Sequence, residues 1–173
     1  MRALLVVDMI HDFVDGKYGS ESAKALVPKI RKIIEKLRSE GTVIVYLKDA
    51  HDGKDPELSV WGEHAMRGTV GSEIVESLSP AEGDIVVEKH TYDGFLFTDL
   101  HETLQKRGIK DVFLCGVATD ICVLHTAFGA FARGYNVNII SDLCAGTSED
   151  MHNRALSYMR DIYGAKILES ESL

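Results

Sequence analysis

The sequence contains few cysteines, and their spacing forms no recognisable framework. Only three of the 173 residues are cysteine: Cys115, Cys122 and Cys144. Their number is odd and no Cys-x-x-Cys pair occurs, which argues against a disulfide scaffold and against a zinc ribbon. The sequence therefore predicts free thiols in a reducing compartment, and we expect a cytoplasmic protein. Cys115 and Cys144 carry no functional signal of their own.

Long hydrophobic runs and an excess of positive charge are also missing. No apolar stretch approaches the roughly 18–20 residues that a membrane-spanning helix requires. Residues 1–8 are too short for a signal peptide and are more typical of a first β-strand. The formal net charge is −8 and lysines and arginines do not cluster, which argues against a nucleic-acid surface. We therefore expect neither a membrane nor a nucleic acid as a partner.

Proline is scarce, and the rest of the composition is that of an ordinary globular protein. The chain has three prolines, 45% hydrophobic residues and 27% charged residues, which suits a domain with a normal core. No internal repeat, low-complexity stretch or linker interrupts it. A length of 173 residues predicts a single domain that spans residues 1–173.

Apolar runs alternate with helical patterns along the chain. Strands are predicted at residues 3–7, 42–47, 84–87, 112–115, 136–140 and 165–168. Helices are predicted at residues 27–38, with Pro28 in the first turn, at 72–78, at 98–107, after 119, and after a Thr147 cap to 163. This alternation predicts a three-layer α-β-α fold with a central, mostly parallel six-stranded sheet and helices on both faces.

The segment Asp111–Val123 is predicted to form a strand, a sharp turn and the start of a helix. Its apolar run is typical of a strand buried on both faces, it breaks at Gly116, and Thr119 and Asp120 suit a helix cap. Cys122 then lies in the first helical turn, where partial positive charge lowers a thiol pKa and unpaired N–H groups can hold an oxyanion. The alternative is a buried cysteine that fills space at a strand–helix junction.

Two further reactive side chains follow predicted strands, Asp8 after the first and Lys89 after the third. Ligands bind at the carboxyl ends of strands in open parallel sheets. If strands one, three and four lie near the middle of the sheet, Asp8, Lys89 and Cys122 meet in one crevice. Asp8 would then take the thiol proton, and Lys89 would keep both groups charged. Taken singly, Asp8 could cap a turn and Lys89 could be solvated.

A second group lies in the long connection after the second strand. Asp49 and His51 are separated by one residue, so their side chains point the same way in an extended segment. His64 could return to them across the loop. Two imidazoles and a carboxylate suit zinc or a similar divalent ion, although spacing alone leaves solvated loop histidines as the alternative.

Motifs spread over nearly the whole chain match one known superfamily. They are Leu5–Met9 with Asp12 and Phe13; Lys48–His51; Trp61–His64 with Gly68, Thr69 and Gly71; Glu88 and Lys89; Gly94 and Phe95 with Thr98–Leu100; and Cys115–Val123. On these motifs the sequence resembles the isochorismatase-like cysteine hydrolases, which include nicotinamidase, N-carbamoylsarcosine amidase and isochorismatase. Isochorismatases proper often lack the cysteine, so its presence favours an amidase.

The resemblance assigns roles to particular residues. It implies a catalytic triad of Asp8, Lys89 and Cys122. It implies a cis peptide between Val117 and Ala118, with the N–H groups of Ala118 and Cys122 as an oxyanion hole. The metal ligands of nicotinamidases match Asp49, His51 and His64, which implies Zn²⁺ or a similar divalent ion and no organic cofactor. The walls of the substrate pocket would be Phe13, Trp61, Tyr92 and Phe95.

The activity implied is that of a cysteine-dependent amidohydrolase that cleaves a small-molecule C–N amide bond and releases ammonia. The metal-site match favours conversion of nicotinamide to nicotinate. The alternative is N-carbamoylsarcosine amidase-like hydrolysis of a ureido bond; that substrate carries a carboxylate, and Arg67 is the candidate cation for it, unless Arg67 is simply an exposed loop arginine. A non-catalytic binding relative is the alternative from another class, and the intact triad argues against it. Relatives are often dimers or tetramers, so we expect a homo-oligomer, with the region after Ser141 as its interface.

Overall fold

Six parallel strands form the central sheet in a computed structural model that describes residues 1–173. The strands are β1 (Arg2–Val7), β2 (Val43–Asp49), β3 (Ile85–Lys89), β4 (Asp111–Val117), β5 (Asn136–Ala145) and β6 (Lys166–Leu168). Their order across the sheet is β3-β2-β1-β4-β5-β6, and every neighbouring pair is parallel. The predicted three-layer α/β fold is confirmed, and the sheet is parallel throughout.

Helices and short turns connect the strands. The α-helices are α1 (His11–Val14), α2 (Glu21–Ser39), α3 (Leu58–Trp61), α4 (Leu100–Lys106), α5 (Leu124–Ala132) and α6 (Glu149–Tyr163). The helix predicted at residues 72–78 is instead a pair of 3₁₀ turns, at Val70–Ser72 and Glu76–Leu78, and a third such turn spans Ser170–Ser172. None of the helices combines the length and the apolar character needed to cross a membrane.

Alternate residues of the central strands pack against helices on opposite faces of the sheet. Leu5 and Leu114 lie in the core shared with α4, α5 and α6. Leu4 and Phe113 lie in the core shared with α2. Because both faces of these strands are buried, their sequences are almost continuously apolar, which is why the strands could be predicted.

Two helix starts differ from prediction because serines cap them. α2 begins at Glu21 rather than at residue 27, since Ser20 Oγ accepts a hydrogen bond from the Ala23 N–H at 3.1 Å. Pro28 therefore lies inside the helix and not in its first turn. α6 is capped by Ser148, whose Oγ accepts from the Met151 N–H at 3.1 Å, and not by Thr147.

Thr147 and Asp120 bind each other and do not act as the helix caps predicted from the sequence. The Thr147 N–H and hydroxyl both donate to the Asp120 carboxylate, at 2.8 and 2.5 Å. The contact joins the loop after β5 to the turn after β4. β5 itself continues to Ala145 rather than ending at residue 140, so this loop lies beside the carboxyl end of β4.

Candidate active site

The strand order reverses direction between β1 and β4, at the centre of the sheet. In doubly wound sheets the crevice at such a point, outside the carboxyl ends of the strands, is where ligands bind. A cavity of about 430 Å³ lies here, and Cys122 is on its wall. Asp8 follows β1 directly, with a φ of 50°, a left-handed conformation in which aspartate is enriched.

Gly116 allows β4 to run close to β1 at this end of the sheet. Its φ is 114°, and a Cβ at this position would lie 2.0 Å from the Val7 carbonyl oxygen. A side chain would therefore clash with the backbone of the neighbouring strand, and only glycine fits. The sequence break at Gly116 thus marks the point at which β4 approaches β1, the two strands that lead to Cys122 and Asp8.

The nucleophile candidate lies in a π-helical turn, Thr119–Val123, that leads into α5. The Val123 N–H closes this turn by donating to the Ala118 carbonyl at 3.1 Å. The Val117–Ala118 peptide is cis, as the resemblance implies. The Ala118 N–H donates to no acceptor in the chain, and Val117, Ala118 and Cys122 all line the cavity. An unpaired N–H next to a thiol can bind the oxygen of a group that the thiol attacks.

Lys89 is at the centre of a buried group of charges. Its Nζ lies 2.7 Å from Asp8 Oδ2, 2.6 Å from Asp49 Oδ1 and 3.6 Å from Cys122 Sγ. It also donates to the Thr91 carbonyl at 3.1 Å. The side chains of Lys89, Asp8 and Asp49 are fully buried. The structure therefore brings the three predicted triad residues together and adds Asp49 to them.

β3 lies at the edge of the sheet, so the condition that strands one, three and four all lie near the middle is not met for β3. Lys89 reaches the crevice because β3 extends beyond residue 87 and Lys89 is the register partner of Asp49 on β2. The long lysine side chain then crosses the end of β2 to Asp8. Asp8 Oδ1, for its part, accepts a hydrogen bond from the Asp49 N–H at 2.8 Å.

Burial controls the protonation of the reactive groups. It raises the pKa of Asp8 to about 7, with a contribution from the neighbouring charge of Asp49. Burial alone would lower the pKa of Lys89, but the facing carboxylates of Asp49 and Asp8 raise it well above its ordinary value.

The predicted lowering of the Cys122 pKa does not hold in this resting site. Burial raises the thiol pKa well above its ordinary value, and the attraction of Lys89 offsets only part of the effect. The carboxylates of Asp8 and Asp49 add to the increase. The thiol therefore keeps its proton, and Asp8, whose carboxylate lies within 4.8 Å of Sγ, is placed to accept it.

A second group of buried side chains adjoins the first. Donor atoms of four residues lie within 4.8 Å of one another: Asp49, His51, Glu57 and His64. The sequence predicted three of them and missed Glu57, which lies just before α3 and is 4% exposed. No periodic pattern marks Glu57, so its role could be found only once the loop was folded.

Several donor atoms of this group make no hydrogen bond within the protein. His51 Nε2, Asp49 Oδ2 and Glu57 Oε1 are buried without a hydrogen bond, which is costly unless a ligand satisfies them. The carbonyl of Gly62 accepts from His64 Nδ1 at 2.8 Å, which leaves His64 Nε2 towards the group. Two imidazoles and two carboxylates are an ordinary donor set for zinc and similar ions. The residues therefore fit a divalent metal ion.

The charges on these four side chains also fit a divalent metal ion. Although burial opposes it, contacts with Asp49 and Glu57 raise the pKa of His51 to about 10. A proton is thus held where two carboxylates face buried imidazoles, and a metal cation would supply that positive charge instead.

Aromatic side chains cover one side of the cavity: Phe13, Tyr18, Trp61 and Tyr92. The Trp61 Nε1–H donates to the Tyr92 hydroxyl at 2.9 Å, and the Tyr18 hydroxyl donates to the Trp61 carbonyl. The prediction for Phe95 is wrong, because this ring is 2% exposed, belongs to the core and stacks on Tyr135. A flat substrate would meet only the other rings.

Lys17 is the only lysine or arginine among the residues that line the cavity. Its Nζ donates to the Glu63 carbonyl at 2.7 Å. Arg67, the cation considered from the sequence, lies outside the cavity and pairs with Glu88 at 2.7 Å. Lys17 belongs to the loop between α1 and α2, where no motif marks it.

A cysteine in the turn after a central strand, held with an aspartate and a lysine beside an unpaired backbone N–H, is the arrangement expected of a cysteine hydrolase of α/β fold. Comparison with known proteins agrees, since the isochorismatase domain model matches residues 2–172. The chain therefore belongs to the isochorismatase family. Its class is that of hydrolases acting on C–N bonds.

Solved structures and curated relatives align with nearly the whole chain. N-carbamoylsarcosine amidase from Thermoplasma acidophilum is 39% identical, with a TM-score of 0.94 and coverage of 99% of this chain and 98% of that one. Pyrazinamidase of Pyrococcus horikoshii, solved in complex with zinc, is 32% identical, with a TM-score of 0.90 and coverage of 97% and 98%. Nicotinamidase of Schizosaccharomyces pombe is 33% identical, covering 92% of this chain and 89% of its own.

Proposed function

We propose that the protein hydrolyses nicotinamide to nicotinate and ammonia. The observation that supports this most is the group of four candidate metal ligands, Asp49, His51, Glu57 and His64, called the metal-ligating group below. Two of them, Glu57 and His64, also line the cavity next to Cys122. A neutral pyridine ring offers a flat surface to aromatic walls and a ring nitrogen to a metal ion. A pyrazinamidase of the same fold, solved with zinc, supports the same substrate class.

The reaction proceeds in two halves on the chain's own residues. Asp8 accepts the Cys122 thiol proton, and the thiolate adds to the amide carbon while Lys89 balances the charge. The Ala118 and Cys122 N–H groups hold the oxyanion. Asp8 then gives its proton to the nitrogen as the C–N bond breaks, so ammonia leaves and a thioester remains.

The second half restores the enzyme. Asp8 takes a proton from water, the hydroxide adds to the thioester carbon, and collapse of the adduct expels the Cys122 thiolate, which regains the proton. A pKa near 7 suits Asp8 to both roles, since a group that accepts and returns a proton works best near the operating pH.

A Zn²⁺ or similar divalent ion would be held by Asp49, His51, Glu57 and His64. When bound, it would supply Lewis acidity at the edge of the cavity, where a ring nitrogen can coordinate. Asp49 belongs to both groups, because Oδ1 contacts Lys89 and Oδ2 faces His51 Nε2 at 3.5 Å.

A second candidate, hydrolysis of the ureido bond of N-carbamoylsarcosine, is favoured by one observation. Lys17 places a cation on the cavity wall, where a carbamoyl amino acid needs a partner for its carboxylate. The likeness to an N-carbamoylsarcosine amidase at 39% identity supports this candidate as well.

Ammonia release from nicotinamide and from N-carbamoylsarcosine, measured in parallel, separates the two. Wild type, Cys122→Ala and the matched control Cys144→Ala, which removes another buried thiol, would each be assayed after chelation and with added zinc. We expect turnover of nicotinamide by wild type and Cys144→Ala, and none by Cys122→Ala. Turnover of the carbamoyl compound alone would favour the second candidate, and activity on neither would leave the non-catalytic alternative.

Self-association stays a prediction. The outer face of α5 and α6 exposes large apolar side chains, with Phe128 49%, Phe131 44% and Tyr158 50% exposed. Apolar surface of this kind is often covered by another protein, and we expect a second copy of the chain there. Light scattering on the purified protein tests this, and a monomer at all concentrations would contradict it.

A further inference from the structure

A carboxylate outside the metal-ligating group holds one of its histidines. Asp55 Oδ2 accepts a hydrogen bond from His51 Nδ1 at 3.0 Å and another from His90 Nδ1 at 3.0 Å. The Asp52 N–H donates to the same oxygen at 3.1 Å. The side chain of His51 is fully buried and that of Asp55 is 11% exposed, so water competes little for the contact between them.

Arg67 fixes the outer end of this arrangement. Arg67 Nη2 lies 3.3 Å from His90 Nε2. Because a guanidinium only donates, Nε2 accepts and the His90 proton is on Nδ1, where it points at Asp55. Arg67 is itself paired with Glu88 at 2.7 Å. A chain of hydrogen bonds therefore runs from the surface through Arg67, His90 and Asp55 to the buried His51.

Asp55 determines which nitrogen of His51 faces the metal-ligating group. With the Nδ1–H bound to Asp55, only Nε2 is left to face Asp49 Oδ2 and Glu57 Oε2, each at 3.5 Å. A carboxylate on the far nitrogen of a ligating imidazole fixes the ring orientation and makes the other nitrogen a stronger ligand. The loop that carries Asp55 also carries Glu57, two residues further on, and Glu57 belongs to the metal-ligating group.

We propose that Asp55, held in place by His90, is the positioning residue that sets the affinity of this site for a divalent metal ion. The inference rests on the metal binding included in the proposed function, and it is independent of which amide is cleaved.

The test measures the binding of Co²⁺ to the full-length protein and does not depend on enzyme activity. The Co²⁺ dissociation constant is measured at one pH by competition with a chromophoric chelator, for wild type, Asp55→Asn and Asp52→Asn. Asp52 is the matched control, because its replacement removes the same charge from the same loop. Its carboxylate accepts from the Lys54 N–H and lies within 4.8 Å of donor atoms of Asp55 and His90, so weaker binding by Asp52→Asn would place the ion at these three residues instead. We expect Asp55→Asn to weaken Co²⁺ binding by roughly 10–100-fold and Asp52→Asn to leave it unchanged.

Two further readouts distinguish positioning from general loss of structure. The visible absorption spectrum of the cobalt form should change in Asp55→Asn, because one imidazole ligand is held differently, while the far-UV circular dichroism spectrum of the metal-free protein should stay that of wild type. His90→Ala should weaken binding in the same direction but by less. Equal affinities of Asp55→Asn and Asp52→Asn would overturn the proposal. Failure of wild type to bind Co²⁺ would overturn the metal site itself, whereas the substrate assignment stands or falls on ammonia release.

Discussion

The pKa of Asp8 leads to a prediction about stability that can be measured without a substrate. Because burial raises this pKa from 3.8 to about 7, the folded protein keeps a proton that the unfolded chain releases. The stabilisation from this proton is complete below pH 3.8 and is lost as the pH rises through about 7. Between pH 5 and pH 8 the loss amounts to about 3 kcal/mol.

Asp8→Asn removes this titration. An asparagine cannot satisfy both the Asp49 N–H and Lys89 Nζ, so the variant carries a cost, but that cost does not depend on pH. The difference in unfolding free energy between wild type and Asp8→Asn should therefore shift by about 3 kcal/mol in favour of the variant from pH 5 to pH 8.

Urea denaturation followed by far-UV circular dichroism, with a chelator present throughout, measures this shift. Asp52→Asn serves as the control, because it removes the same charge at an aspartate that is exposed to solvent. A difference between wild type and Asp8→Asn that stays constant from pH 5 to pH 8 would refute the assigned direction of the Asp8 pKa.

Further predictions concern the nucleophile, the cavity wall and the strand crossing. Cys122→Ala should abolish ammonia release and leave the circular dichroism spectrum unchanged, and mass spectrometry during turnover should find a covalent adduct on wild type alone. Tyr92→Phe removes the hydroxyl that accepts the hydrogen bond of the Trp61 indole. Loss of this hydrogen bond, about 1 kcal/mol, should weaken substrate binding by the cavity wall, so steady-state kinetics should show KM raised roughly five-fold with little change in kcat. Gly116→Ala should prevent folding or destabilise by more than about 4 kcal/mol, whereas Gly83→Ala, also at positive φ but with open space around it, should cost only about 1 kcal/mol in urea denaturation.

The parts of the site that could be predicted are those attached to buried strands. Strand ends are visible in the sequence as apolar runs that stop at a polar residue, and parallel strands bring such ends together. Asp8 and Lys89 were found in this way, and Cys122 was found from the glycine break before it.

The candidate metal-binding group of Asp49, His51, Glu57 and His64 was predicted only in part, because a loop assembles it. The His51 N–H donates to the Ala65 carbonyl, and the Arg67 N–H donates to the His51 carbonyl, both at 2.9 Å. These bonds fold the connection back on itself, so that Glu57 and His64 come to lie beside His51. Nothing in the spacing of the loop residues indicates this pairing. The pKa of Cys122 was mispredicted for a related reason, since its local position indicates a lowered pKa, whereas burial, together with the nearby carboxylates, raises it.

The placement of Lys89 shows how a residue on an edge strand becomes part of a buried site. Leu47 and Val87 are register partners on β2 and β3, and Asp49 and Lys89 are the next partners on the same face. Leu47 and Val87 are 1% and 5% exposed and belong to one core. A slip of one residue would turn Val87 to solvent and Lys89 to the opposite face. The alternation that buries the apolar residues of β3 therefore also aims the lysine at Asp49 and Asp8, and the charged group is specified by the same pattern that folds the strand.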